Sequence, residues 1–315
     1  MMKFAFVFPG QGSQSVGMLA ALAAAPGAEA VIQDTFGEAS AVLGYDLWQL
    51  AAQGPAERLN GTECTQPAML AAAIATWRVW RDRGGAQPAV VCGHSLGEFS
   101  ALVAAGALDF AAGIDLVQFR GRVMQEAVPE GTGAMAAILG LDDEQVIEAC
   151  REAAQGGVVE AVNFNAPGQV VVAGAREAVD RAIEAARRRG AKRAVALPVS
   201  VPSHSSLMGP AAERLAERLA AVDFRPPRIA FVSAVDARAH EEPADLRQLL
   251  VRQLSSPVRW SEAVRAVAAG GAAALIECGP GKVLTALNRR IERDIEALAL
   301  QDAESLQAAL ATVKT

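Results

Sequence analysis

The chain has 315 residues, of which 52% are hydrophobic and 20% are charged, and its formal net charge is -6. This length and balance predict a globular protein with one large domain or two modest ones. A negatively charged chain whose basic residues are scattered has no general attraction to nucleic acid, so we exclude DNA and RNA as partners.

The first predicted element is a short apolar strand at Phe4–Phe8, followed by the turn Pro9-Gly-Gln-Gly-Ser-Gln14. A glycine-rich turn between a strand and a helix is typical of a phosphate site. However, Gly10, Gly12 and Gly17 lack the G-x-G-x-x-G spacing, and no P-loop lysine follows. The turn is therefore predicted to hold something other than a nucleotide.

The same apolar run argues against export and membrane insertion. Five residues are fewer than the roughly 7–15 of a signal-peptide core, and no stretch approaches the roughly 18 apolar residues of a membrane span. The four cysteines are far apart and form no metal-like group with histidine, which indicates buried thiols in a reducing compartment. We predict a cytoplasmic protein without a membrane partner.

The second predicted strand, residues 89–92, leads into Gly93-His-Ser-Leu-Gly97 and a predicted helix at 96–105. G-x-S-x-G in a strand-turn-helix context is the nucleophile elbow, whose glycines permit a tight turn with the serine hydroxyl at its tip. Ser95 is therefore the predicted nucleophile. The backbone N–H of Leu96, which follows it, is predicted to lie beside the reacting group.

A predicted helix at residues 112–128 carries an arginine within its apolar stripe. A helical wheel places Arg120 near the centre of that stripe and Arg122 on the opposite, solvent-facing side. A buried arginine needs an anionic partner, because an unpaired buried charge is very costly. That partner is either an internal Asp or Glu or a carboxylate carried in by the substrate and held by two parallel hydrogen bonds.

The middle of the chain has a different rhythm. Its predicted elements are a strand at 133–139, a helix at 142–154 capped by Asp142, strands at 158–164 and 169–173 around the turn 165–168, a helix at 176–189 and a strand at 192–199. This is the β-α-β-β-α-β order of a ferredoxin-like unit. We predict a small ferredoxin-like domain at 128–200 that interrupts a large α/β domain formed by 1–127 and 201–315.

Serine catalysis needs a base, and the chain has three histidines. His94 adjoins the nucleophile and is expected to point to another side of the elbow, and His240 lies in a polar segment predicted to be an exposed loop. His204 lies where the chain returns from the small domain to the large one, so a cleft between the domains would bring it to Ser95. A neutral imidazole there would take the serine proton and return it to the leaving group.

A third apolar run, residues 273–277, precedes Cys278-Gly-Pro-Gly-Lys282 and another predicted helix. Its turn fails the P-loop pattern, since Ile276 stands at the first glycine position and Val283 follows the lysine. Together with the two runs nearer the start of the chain, it predicts parallel strands of one α/β sheet.

The motifs taken together resemble those of the malonyl-CoA:acyl-carrier-protein transacylases. They occur in order along nearly the whole chain: Phe8-Pro-Gly-Gln-Gly-Ser-Gln14, Gly93-His-Ser-Leu-Gly-Glu98, Phe119-Arg-Gly-Arg122, Asn163-Phe-Asn-Ala-Pro-Gly-Gln169, Pro202-Ser-His204, Arg252-Gln-Leu254 and Gly279-Pro-Gly-Lys282. The resemblance implies an α/β-hydrolase-like large domain. It also implies an acyltransferase that supplies malonyl units for fatty-acid synthesis.

The resemblance assigns a role to each candidate residue. Ser95 would form a malonyl-serine with His204 as base and then acid, and Arg120 would bind the malonyl carboxylate. The N–H groups of Gln11 and Leu96 would form the oxyanion hole, and the Gln253 carbonyl would orient His204. Malonyl-CoA and the phosphopantetheinylated acyl carrier protein would be substrates, and no cofactor or metal is implied.

Two other enzyme readings share the serine and histidine. One is a serine thioesterase or hydrolase of acyl thioesters, which would have no need of Arg120; the other is a polyketide-synthesis acyltransferase with different acyl selectivity. A non-catalytic member of a polyketide assembly is disfavoured because Ser95, His204 and Arg120 are all present. Carrier proteins are acidic, so a basic patch would serve docking, and the candidates are Arg187, Arg188, Arg189, Lys192, Arg193, Arg289 and Arg290.

Overall fold

The computed structural model describes residues 2–129, 131–199 and 201–314. Within them the strands are β1 Phe4–Phe8, β2 Val90–Gly93, β3 Gly133–Leu139, β4 Val159–Ala166, β5 Gln169–Ala175, β6 Arg193–Ala196, β7 Ala230–Val232, β8 Ala239–His240, β9 Ala274–Glu277 and β10 Glu296–Ala299. They form two separate sheets of six and four strands.

The helices surround these sheets. They are α1 Ala20–Ala23, α2 Ala28–Leu43, α3 Leu47–Gln53, α4 Ala56–Asn60, α5 Thr62–Asp82, α6 Gly97–Ala104, α7 Phe110–Glu126, α8 Asp143–Ala154, α9 Arg176–Arg188, α10 Gly209–Ala220, α11 Pro243–Arg252, α12 Trp260–Ala269, α13 Val283–Ile291 and α14 Ala303–Thr312. Short 3₁₀ turns lie at Ser206–Met208 and Gln253–Ser255. No helix of the described chain has the length and apolar character that crossing a membrane requires.

The six-stranded sheet has the order β10-β9-β1-β2-β7-β8 and is parallel except for β8. Its central strand β1 is buried along its whole length, because alternate side chains enter two different cores. Phe4, Phe6 and Phe8 pack on one face, while Ala5 and Val7 pack on the other. The continuous apolar run in the sequence therefore reflects burial on both faces.

The four-stranded sheet, of order β4-β5-β3-β6, is antiparallel throughout. Helices α8 and α9 pack on one face of it, and their apolar side chains share a core with those of β3 and β5. Asp142 begins α8 in a capping box with Gln145, as its position in the sequence predicts. The strand and helix order of this segment is the predicted one.

Hydrogen bonds join strand β4 of the small sheet to the segment before α12, which packs on the large sheet. The Phe164 amide donates to the Val258 carbonyl at 2.9 Å, and the Val258 amide donates to the Val162 carbonyl at 2.8 Å. Strand β4 continues to Ala166, so Asn165 lies in the strand and not in the predicted turn. The prediction for His240 is also wrong, because its segment forms the edge strand β8 against β7.

Candidate active site

Ser95 lies at the carboxyl end of β2, in the tight turn before α6. It has a φ of 52°, in the left-handed region that a residue with a Cβ avoids unless its surroundings impose it. The flanking glycines permit this turn, since a Cβ on Gly93 would lie 2.0 Å from the Gly97 carbonyl carbon and one on Gly97 would lie 2.0 Å from the Phe8 oxygen. Backbone packed on backbone thus fixes the position of the Ser95 side chain.

His204 lies within hydrogen-bond distance of Ser95. Its Nε2 is 2.8 Å from Ser95 Oγ, and its Nδ1 is 2.7 Å from the carbonyl oxygen of Gln253. A carbonyl only accepts, so Nδ1 carries the proton and Nε2 is free to accept from the serine hydroxyl. This tautomer is the one that removes a proton from serine.

The imidazole of His204 is held in its neutral form. Burial and, second to it, the nearby positive charge of Arg120 together lower the pKa of His204 to about 3, although the hydrogen bond to Gln253 acts in the opposite direction. Since the group binds a proton more weakly in the folded chain than in the unfolded one, its contribution to stability is present above its unfolded pKa. That contribution is lost as the pH falls from about 6.5 through the folded pKa.

This depressed pKa predicts the pH dependence of serine reactivity. Labelling of Ser95 by phenylmethanesulfonyl fluoride, a neutral reagent, is expected to vary less than about twofold between about pH 5.5 and about pH 8, because His204 stays unprotonated throughout. The labelling rate is followed by intact mass. A rate that falls by half near pH 6.5 would show that His204 titrates like a solvent-exposed histidine.

Arg120 is buried on α7 beside the same serine. Its Nη1 donates to Gln66 Oε1 at 2.8 Å, and its Nη2 donates to Gln253 Oε1 at 2.9 Å and to Ser95 Oγ at 3.3 Å. No carboxylate of the described residues lies within ion-pair distance of it. Burial lowers the pKa of Arg120 to about 10, so the guanidinium remains charged near neutral pH.

The turn after β1 packs against the nucleophile elbow. A Cβ on Gly10 would lie 2.6 Å from the carbonyl oxygen of His94, so the chain at this point passes very close to the residue before Ser95. Within the described residues, the backbone N–H groups of Gln11 and Leu96 donate to no protein acceptor. Neither N–H group is therefore occupied by another described residue.

The close approach at Gly10 predicts a loss of activity without loss of the serine–histidine pair. Gly10→Ala is expected to displace the turn and, if the turn supplies an oxyanion donor as the sequence predicts, to lower kcat roughly 100- to 1000-fold. Steady-state turnover measures the effect. Gly37→Ala on α2 is the matched control, because an added Cβ there meets nothing within 4 Å; an equal loss in both variants would contradict the assignment to the turn.

Two polar residues at the site were not predicted from the sequence. Gln66 is buried on the apolar helix α5 and holds Arg120, and Glu98 is buried on α6 behind Gln253. A glutamine within Thr62–Asp82, whose other buried residues are mostly apolar, was the signal available for the first. The remaining histidines lie elsewhere: His94 Nε2 is 2.8 Å from Asn165 Oδ1, and His240 Nε2 is 3.1 Å from Asp236 Oδ1.

The described residues contain no group of three or more His, Cys, Asp or Glu side chains that could hold a metal ion. Cys64, Cys92, Cys150 and Cys278 are all buried and unbridged. The side chains that meet at the site are a half-buried serine, a buried neutral histidine and a buried arginine.

A strand-turn-helix serine paired with a histidine defines the class of proteins that transfer acyl groups through serine. A family described as the acyl transferase domain matches residues 5–308, and the protein is an acyltransferase. The chain is 56% identical over 310 residues to the malonyl CoA-acyl carrier protein transacylase of Salmonella typhimurium, covering 98% of this chain and 99% of that one. It is 44% identical over 318 residues to that of Bacillus subtilis, covering 100% and 98%.

Solved structures of related enzymes superpose closely on this chain. An acyl carrier protein S-malonyltransferase from Vibrio cholerae superposes with a TM-score of 0.94 at 57% identity, covering 97% of this chain and 99% of that one. A malonyl-transacylase in complex with a type II PKS acyl-carrier protein superposes with a TM-score of 0.96 at 55% identity, covering 98% and 99%. This chain belongs to the malonyl CoA-acyl carrier protein transacylase family.

Proposed function

We propose that this protein transfers the malonyl group from malonyl-CoA to the phosphopantetheine thiol of acyl carrier protein, and so supplies malonyl units for fatty-acid synthesis. The observation that carries the proposal is Arg120, a buried cation 3.3 Å from Ser95 Oγ whose protein partners are neutral. A substrate carboxylate would satisfy it by accepting two parallel hydrogen bonds. An ordinary hydrolase has no need of such a group.

In the first half-reaction, His204 Nε2 takes the proton of Ser95 as Oγ attacks the thioester carbonyl carbon. The N–H groups of Gln11 and Leu96 donate to the oxyanion that forms. Collapse breaks the carbon–sulfur bond, and the departing coenzyme A thiolate takes the proton from His204. The result is a malonyl-serine and free coenzyme A, with every proton accounted for.

In the second half-reaction, the carrier thiol loses its proton to His204, its sulfur attacks the malonyl-serine, and Ser95 regains the proton on release. Both thiols carry the same phosphopantetheine arm, so one entrance serves both in turn and the kinetics are ping-pong. A neutral orienter such as the Gln253 carbonyl suffices, because a thiol with a pKa of about 8.5 leaves readily without strong acid assistance. We propose no cofactor for either half.

We also propose that the chain folds as two domains, and its two separate sheets support this division. The large α/β-hydrolase-like domain comprises 1–127 and 201–315, and the small ferredoxin-like domain comprises 128–200; residues 1, 130, 200 and 315 lie outside the described residues. The strand order β4-β5-β3-β6 supports the small domain, because it is that of a β-α-β-β-α-β unit. Helix α8 connects β3 to β4, and helix α9 connects β5 to β6. A cytoplasmic location stays a prediction from the sequence.

For docking of the acidic carrier protein, we favour Arg289 and Arg290 over the three arginines Arg187, Arg188 and Arg189. Arg187 pairs with Glu184, and Arg188 and Arg189 both pair with Glu152, so their charges are partly neutralised. Arg289 and Arg290 are exposed and donate to carbonyl and amide oxygens instead. Arg290 contacts the turn after β4, which follows the Asn165 that bonds His94.

The function is tested by measuring the intact mass of the protein after brief incubation with malonyl-CoA. Phosphopantetheinylated carrier protein is then added and the intact masses are measured again. The expected result is a malonyl adduct on Ser95 that moves to the carrier. An adduct that decays only to free malonate would identify a thioesterase, and an equal preference for methylmalonyl-CoA would favour a polyketide acyltransferase. The absence of an adduct with any acyl-CoA would overturn the covalent mechanism.

A further inference from the structure

Arg120 raises a question of charge balance. Its two terminal nitrogens bond only to Gln66, Gln253 and Ser95, all of them neutral, although a buried guanidinium needs negative charge nearby. The carboxylate whose charge most favours the protonated form of Arg120 is Glu98, and it makes no direct contact with the arginine. The side chain of Gln253 lies between them.

Gln253 joins these two groups through opposite sides of its amide. Its Oε1 accepts from Arg120 Nη2 at 2.9 Å, while its Nε2 donates to Glu98 Oε2 and, at 2.9 Å, to the Ser95 carbonyl oxygen. An amide presents an acceptor on one side and donors on the other, so the partners of Nε2 decide where Oε1 points. With the Gln253 amide reversed, its NH₂ group would face Arg120 Nη2, and the two donors would have no acceptor between them.

Glu98 is itself firmly held. It is fully buried in the first turn of α6, and its Oε1 accepts from Ser233 Oγ and the Ala234 amide at 2.7 Å each. Burial raises the pKa of Glu98 to about 7, but the three donors that converge on its two oxygens act in the opposite direction and favour the ionised carboxylate. The mechanism above assigns no task to this residue.

We propose that Glu98 is a positioning residue for malonyl recognition. It fixes the Gln253 amide so that Oε1 of Gln253 orients the Arg120 guanidinium. It also places negative charge near Arg120, with the Gln253 side chain between them. Because the charge is not in contact with Arg120, the two terminal nitrogens keep neutral partners that a substrate carboxylate replaces readily. This inference rests on the proposed function, in which Arg120 binds the malonyl carboxylate.

The test compares Glu98→Gln with the unmodified protein. A glutamine oxygen can accept from Gln253 or from Ala234 but not from both, and its NH₂ group then meets the remaining donor. We expect the kcat/KM for malonyl-CoA to fall roughly 10- to 100-fold, the range for a buried donor left unsatisfied, mainly through KM. Ser95 acylation by acetyl-CoA, which lacks the carboxylate, is expected to change less than about threefold.

Glu277→Gln is the matched control. Glu277 is another fully buried glutamate that accepts from two backbone amides and a hydroxyl, those of Leu284 and Thr285, but it lies at the end of β9 against the start of α13 and has no hydrogen bond to Gln253. Its replacement is expected to lower the unfolding temperature and leave the malonyl-to-acetyl ratio unchanged. A merely structural Glu98 would behave in the same way.

Glu98→Asp keeps the charge but withdraws the carboxylate by one methylene, and it carries the test if Glu98→Gln does not fold. The ratio of malonyl to acetyl activity is expected to fall in Glu98→Asp as well. Equal losses for both donors, or no loss in a folded variant, would overturn the positioning role. If the unmodified protein forms no malonyl adduct, the proposed function fails instead, so the two failures are distinguishable.

Discussion

Ser95→Ala is expected to abolish the malonyl adduct and to lower transfer to the carrier protein on the order of 10⁴- to 10⁶-fold. Without Oγ the reaction loses its covalent intermediate, and His204 Nε2 loses the hydroxyl that it accepts from at 2.8 Å. The N–H groups of Gln11 and Leu96 remain, and they account for the residual rate. Intact mass after incubation with malonyl-CoA and a timed transfer assay measure both effects.

Ser100→Ala is the control for this variant. Ser100 lies on α6, one helical turn and a half beyond Ser95, and its buried Oγ has no hydrogen-bond partner within the described chain. Removing that hydroxyl is expected to leave transfer unchanged and stability equal or slightly higher, because an unsatisfied polar atom is lost. A malonyl label retained at the active site of Ser95→Ala would show that another residue is the nucleophile.

Much of the fold follows from local patterns in the chain. The strands β1, β2 and β9 are apolar runs that end in glycine turns, and the structure has each of them within one residue of its predicted start. Buried strands need continuous apolar sequence, and tight turns need glycine, so both features are visible residue by residue. The two-residue strand β8 has too little sequence to show a period, which is why His240 was predicted in a loop.

Some residues of the site also follow from local sequence, while others depend on contacts between distant elements. Ser95 and Leu96 follow from a five-residue motif, and Arg120 follows from the face of one helix, since each depends on neighbours in the chain. The hydrogen bonds of Gln66 and Glu98 join side chains from α5, α7, α6 and the 3₁₀ turn at Gln253, which are far apart in sequence. No local pattern shows which side chains they meet, although the glutamine within the apolar helix α5 marks Gln66 as unusual.

The placement of Arg120 affects His204 as well as the substrate. Its charge is the second cause, after burial, that lowers the pKa of His204. If Arg120 binds the malonyl carboxylate as proposed, that carboxylate would offset the charge, and His204 would be a stronger base with the malonyl group bound than without it.

Arg120→Ala is therefore expected to lower activity with malonyl-CoA far more than activity with acetyl-CoA. The kcat/KM for malonyl-CoA should fall roughly 10²- to 10⁴-fold, equivalent to about 3–5 kcal/mol, because the substrate carboxylate would enter a buried site without its partner. Acetyl transfer should change less than about fivefold, since the variant removes a charge that weakens His204. Parallel transfer assays with malonyl-CoA and acetyl-CoA give the ratio.

Two further variants separate the charge of Arg120 from its shape. Arg120→Lys keeps the charge but cannot donate two parallel hydrogen bonds, so its loss for malonyl-CoA should be intermediate. Arg122→Ala removes the exposed arginine of the same helix, which lies over the Phe119 ring, and should leave both donors unaffected. Equal losses for malonyl and acetyl groups in Arg120→Ala would mean that Arg120 serves the serine and not the substrate, and the carboxylate assignment would fall with it.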